Sequence, residues 1–198
     1  MQLYYAYINF KNGQCLAALA AYQDAAKRAT IAGLKIDRSL AHFNIAQCYR
    51  VLGDFRAARA HFGKAASGGS PALRARAMRC VARMSIRMHG PRSIVEMNRA
   101  KESFVLLGMA GEICRCTLAI MEELIRFDPT INLSTFRDQL REEIAFLGLM
   151  PAAAEAVTLL NRALDSGSVA EPDLQAIWNV FGPNYAASWV SGMETVRN

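Results

Sequence analysis

The chain has 198 residues, 53% of them hydrophobic and 20% charged, with a formal net charge of +6. This balance suits a folded soluble protein, and no apolar run approaches the roughly 18 residues that a membrane span needs. The basic excess favours acidic partners but is too mild to define a nucleic-acid binder.

The opening segment, MQLYYAYINFKNG, has no basic lead and no long apolar core, so it does not read as a signal peptide. It reads instead as a helix rich in aromatic residues. Abundant alanine, with only 6 prolines and 13 glycines, favours helix over sheet throughout. The 5 cysteines are odd in number and form no regular framework, which implies free thiols in a reducing, cytoplasmic compartment.

An internal repeat follows. Gly13 falls over Gly53 at an offset of 40 residues, and Ala18 then meets Ala58, Tyr22 meets Phe62, and Ala25 meets Ala65. Before the glycine, Ala6 meets Ala46. Small residues recur where two helices must approach closely, and an aromatic recurs to fill the gap. Two copies of helix–turn–helix are expected, each burying its apolar face against its neighbours.

The second copy resembles the tetratricopeptide repeat family. Ile45, Ala46 and Tyr49 carry the likeness on the first helix, Gly53 and Asp54 at the turn, and Ala58, Phe62 and Ala65 on the second. Pro71 follows near where the family places a helix-breaking proline. The likeness is specific over residues 40–71 and fair over residues 1–28. It implies an all-α, right-handed α-solenoid of antiparallel helix pairs. The expected segments are repeats at residues 1–30 and 38–71, degenerate helix pairs at 72–127, and C-terminal helical repeats and a cap at 133–198.

Downstream, SGGSP is a turn leading into a helix over residues 72–89, because proline suits a first helical turn. Gly90 and Pro91 break it, and helices are expected over 92–107 and 110–126. Ser134 is a plausible N-cap for a helix reaching about residue 147. Further helices are expected over 151–164, 172–181 and 184–195. Residues 98–165 resemble, weakly, the degenerate arrays of bacterial transcriptional regulators, which would imply a signalling or assembly role.

Arg76, Arg79, Arg83 and Arg87 are spaced 3, 4 and 4 apart, so they share one helical face. Met78, Val81, Ala82 and Ser85 fall opposite, and Met78, Val81 and Ala82 would be the packed residues. The arginines would then point into the concave groove where the family holds peptides. The alternative is a solvated face whose charges pair with neighbours such as Glu96 or Glu102. The same projection places Leu3, Tyr7 and Phe10 in the groove from the first copy. From the second it places Phe43, Asn44, Gln47 and Arg50 there. Asn44 stands where many peptide-binding members carry an asparagine that bonds the ligand backbone. Leu3 and Tyr7 replace the residues of a carboxylate clamp, which argues against a chaperone C-terminus as ligand.

The expected partner is therefore a protein segment with acidic or amphipathic character, bound without catalysis. Leu3, Tyr7, Phe10 and Phe43 would give apolar contact. Asn44 and Gln47 would hold backbone, and Arg50, Arg76, Arg79 and Arg83 would read acidic groups. Nucleic acid on the arginine face is the second reading. Arrays of this type usually need a polar capping helix at each end, so the aromatic first helix is expected to serve as a binding or self-association surface, the alternative being that the chain is part of a longer polypeptide. Trp178 and Trp189 are expected to close the other end of the array or to form a second contact.

Other groups read as structural. Cys114 and Cys116 diverge on their helix and cannot share a metal. Cys15, Cys48 and Cys80 read as core fillers, and His42 and His61 as packing or surface residues. Glu122, Glu123, Glu142 and Glu143 read as solvated partners of Arg126 and Arg141. No metal, phosphate-loop or nucleophile motif is present, so neither a cofactor nor an enzymatic activity is expected.

Overall fold

The computed structural model describes residues 2–128 and 130–146, together with Thr158 and Arg162. It contains α1 (Gln2–Lys11), α2 (Cys15–Ile31), α3 (Lys35–Val51), α4 (Phe55–Ala66), α5 (Pro71–His89), a 3-10 turn (Gly90–Ser93), α6 (Ile94–Leu106), α7 (Ala110–Phe127) and α8 (Ser134–Phe146). Among the described residues there is no strand, so the chain is all-α there. None of the described helices is long and apolar enough to cross a membrane.

The helix ends follow from local chemistry. Gly13, Gly33 and Gly53 hold φ of 77°, 68° and 83°, the left-handed region that side chains disfavour. Each closes the same turn. The N–H groups of Gln14, Leu34 and Asp54 donate to the carbonyls of Asn9, Ala29 and Tyr49 at 2.8, 2.9 and 2.9 Å, six residues to one. Asp54 then caps α4 by accepting from the Ala57 N–H at 2.9 Å. Ser70 caps α5 by accepting from the Leu73 N–H at 3.3 Å, with Pro71 in the first helical position.

The chain divides into two compact units, Met1–Leu107 and Gly108–Asn198. The segment expected at 72–127 straddles that division. In the first unit the helices pack in chain order: α1 on α2, α2 on α3, α3 on α4, α4 on α5 and α5 on α6. One core cluster joins Ala6 of α1, Ala18, Tyr22 and Ala26 of α2, and Ala41, Ile45 and Cys48 of α3. Phe43 and Phe62 continue the core between α3 and α4, with ring centroids 5.0 Å apart and edge to face. Alanine at the contacts lets the backbones approach, and the aromatic rings fill what remains. Cys15, Cys48 and Cys80 are buried free thiols. Burial beside Cys15 pushes the Cys48 thiol up to about 12, which keeps it in the unreactive form.

In the second unit α7 is buried almost all round, carrying Cys114, Cys116, Leu118, Ile120 and Met121 inward together with Glu112, Glu122 and Glu123. Leu140 and Ile144 of α8 are buried. The Thr117 hydroxyl bonds both carboxylate oxygens of Glu143, at 2.9 and 3.0 Å, tying α7 to α8.

Several expectations need correction. The helix expected over 92–107 starts at Ile94, because Gly90–Ser93 form a 3-10 turn first. Ser134 is the first residue of α8 rather than its cap, and its N–H donates to the Asn132 side chain at 2.8 Å. Glu122 and Glu123 are not solvated: they are 8% and 0% exposed, and Arg126 bridges both at 2.8 and 3.2 Å. The expected helices at 151–164, 172–181 and 184–195, with Trp178 and Trp189, lie outside the described residues.

Candidate partner-binding site

The candidate site residues come from α1, α3 and α5, all in the first unit. Their helical register decides which can meet a partner.

On α1, Leu3 and Phe10 are half-buried and pack against the cluster shared with α2 and α3. They line the core edge rather than an open face. Tyr7 is half-buried, and it lies near the buried Tyr22 hydroxyl, whose acidity is suppressed first by burial, then by Cys48 and Tyr7.

On α3, Phe43 is 0% exposed and stacked edge to face on Phe62. It has no surface to offer a partner, so its expected contact role is corrected to a core role. The register explains this: position 43 faces Phe62 of α4. Asn44 and Arg50 are half-buried. Gln47 is 9% exposed, and its Oε1 accepts from Arg50 Nε at 2.9 Å. Gln47 thereby orients the guanidinium, and little of it remains for a ligand backbone.

On α5, the four arginines do not share one environment. Arg79 is 2% exposed, with its guanidinium carbon 5.7 Å from the Phe104 ring centroid of α6. Its expected role in reading acidic groups is therefore corrected to an internal one. Arg87 lies over the Phe55 ring at 4.7 Å. Arg76 and Arg83 remain half-buried. Met78, expected inside, is 39% exposed, whereas Ala82 and Ser85 are buried. The stripe Ala75, Arg79, Ala82 and Ile86 is buried throughout, at spacings of 4, 3 and 4.

Two constellations were not singled out as sites by their sequence pattern. In the first, Ser85 links three helices: its hydroxyl accepts from Arg59 Nε at 2.8 Å and donates to Glu96 Oε2 at 2.8 Å. Arg59 and Glu96 also approach directly, at 3.7 Å. No short motif announces this link, because the three residues come from α4, α5 and α6.

The second is a histidine pair. The Nδ1 atoms of His42 and His61 are 3.3 Å apart, and Tyr49 stacks beside His61 at 5.5 Å. Burial, reinforced by Lys64 and then His42, holds the His61 imidazole down at about 4. Burial, then Lys64 and Arg38, lowers His42 as well. Both rings are neutral at pH 7.

Among the described residues, no three His, Cys, Asp or Glu side chains are grouped so as to hold a metal ion. Asn44 offers a donor and an acceptor, and Arg50, Arg76 and Arg83 offer forked donors matched to carboxylates. No family model matches the chain, and comparison with curated proteins and solved structures gives no match either.

Proposed function

We propose that the first unit is a short array of antiparallel helix pairs, of tetratricopeptide type, that holds a segment of a partner protein without catalysis. The observation that carries this reading is the chain-order packing of α1 through α6 around a repeated core. Ala18 and Tyr22 of α2, and Ala58 and Phe62 of α4, are all buried, at positions 40 residues apart. An array built this way extends one face formed by every second helix, here α1, α3 and α5. On that face Tyr7, Asn44, Arg50, Arg76 and Arg83 supply the contacts. Asn44 bonds the partner's backbone, and the guanidinium groups read its carboxylates. The free cysteines suit a cytoplasmic setting.

The test is retention of partner protein from nuclease-treated native extract, comparing the wild type with an Arg76→Glu, Arg83→Glu double variant. Arg79 is left intact, because reversing its charge would disturb the core. A protein held by the wild type and weakened roughly tenfold or more by the variant supports the reading. Equal retention by both proteins overturns it. Loss of all retention on nuclease treatment, with binding that falls steeply with salt, would replace it by nucleic-acid binding.

A further inference from the structure

His42 of α3 and His61 of α4 meet within the second helix pair, with Nδ1 atoms 3.3 Å apart and ring centroids 5.2 Å apart. Packing of such a pair does not call for them. The 40-residue offset that equates the core residues of the two copies equates His42 with Gln2 and His61 with Ala21. The small and aromatic core positions recur, and the imidazoles do not. Both rings are half-buried, so solvent reaches them.

The two separations fit one chemistry. Bonds of about 2.0–2.1 Å from each Nδ1 to a shared zinc ion would subtend about 104–111° across the 3.3 Å gap, which brackets the tetrahedral angle. Imidazoles aimed along those bonds would hold their centroids about 5.1–5.3 Å apart, as found, whereas rings pointing straight at each other would stand about 5.6 Å apart. A square-planar ion such as copper(II) would need the two nitrogens about 2.9 Å apart. We propose that His42 and His61 form a zinc-binding site that clamps α3 to α4. Entry of the ion replaces the hydrogen bond between the rings. The ring protonated on Nδ1 passes that proton through solvent to Nε2, and both Nδ1 lone pairs then ligate. Two coordination positions remain for water or an anion, so the ion is exchangeable rather than enclosed. Lys64 lies near both rings and Arg38 near His42, and their charge favours an anion such as chloride or hydroxide at an open position. Tyr49 packs beside His61 and limits how far its ring can turn. The proposal does not depend on the partner-binding reading.

The test titrates the full, untagged chain with cobalt(II), a spectroscopic substitute for zinc, and then with zinc itself. The intense visible bands of tetrahedral cobalt(II) are expected, saturating at one ion per chain and bleached when zinc displaces it. Zinc should also raise the thermal midpoint in proportion to the logarithm of its concentration above Kd. His42→Gln and His61→Gln, each checked for helical circular dichroism, should weaken binding roughly tenfold or more. In the wild type, zinc should shift the imidazole resonances of both histidines, a readout that needs no variant to fold. Weak octahedral bands alone overturn the proposal, as does binding unchanged in both variants or imidazole resonances unmoved by zinc. A thiolate-to-cobalt charge-transfer band also overturns it, because the ligands would then be the buried cysteines.

Discussion

The Nδ1 atoms of His42 and His61 meet at 3.3 Å across α3 and α4, with both imidazoles held neutral by burial and by Lys64. One nitrogen carries the proton and the other accepts it. In the unfolded chain each ring titrates near 6.5, whereas folded His61 titrates near 4. The unfolded state therefore binds more protons below about pH 6.5, and stability falls as pH drops from there toward 4. The urea midpoint should decline across that window in the wild type. It should decline less in His61→Gln, and an unchanged slope would rule out the pair as the source.

Gly68 approaches α3 closely. A β-carbon there would lie 2.8 Å from Ser39 Oγ, inside van der Waals contact. That hydroxyl is buried and has no hydrogen-bond partner among the described residues. Gly68→Ala should destabilise by about 1–3 kcal/mol. Ser39→Ala should be neutral, or stabilise by about 1 kcal/mol, by deleting an unsatisfied group. Combined, the second change should recover most of the loss. A double-mutant cycle from denaturant midpoints measures this, and strict additivity would contradict the contact.

Arg79 should behave as a core residue. Arg79→Ala should cost about 2 kcal/mol or more, since it removes a desolvated cation from Phe104. Arg76→Ala, at a half-buried position on the same helix, should cost less than about 1 kcal/mol. Thermal unfolding of the two variants checks the order, and equal losses would argue against the buried stacking.

Ser85 is predicted to matter through both of its neighbours. Ser85→Ala leaves Arg59 and Glu96 each short of one hydrogen bond and should cost about 1 kcal/mol. In a Glu96→Ala background the same change should cost less, because one of the two bonds is already gone. Denaturant titration of the four proteins gives the coupling.

Much of the helical pattern was legible in the sequence. Pro71 and the Gly90–Pro91 pair bracket α5 at residues 72–89, one residue from the observed start. Gly13 and Gly53 mark turns whose reason is a left-handed backbone. The site was less legible. Spacing groups Arg79 with three other arginines because it reports only which face of a helix a residue occupies. It does not report what covers that face, and Phe104 lies one helix further along. A signal was present in Ala75, Ala82 and Ile86, which set Arg79 within a stripe of small and apolar residues. Phe43 is ambiguous in the sequence for a similar reason: an aromatic on α3 satisfies the register of a core contact as well as that of an open face, and Phe62 decides between them.

Chain-order packing also shapes how the first unit gains and loses structure. Each helix finds its partner within one short turn, so the contacts to be formed are close in sequence and need little loop closure. Folding should be fast and limited by local events. By the same logic, disorder can enter at one end without disturbing the far helices. Amide exchange should be quicker in α1, whose main packing within its unit is on α2, than in α3 and α4, each held on two sides. The helix with the most exposed aromatic surface is thus also easier to peel away than α3 or α4.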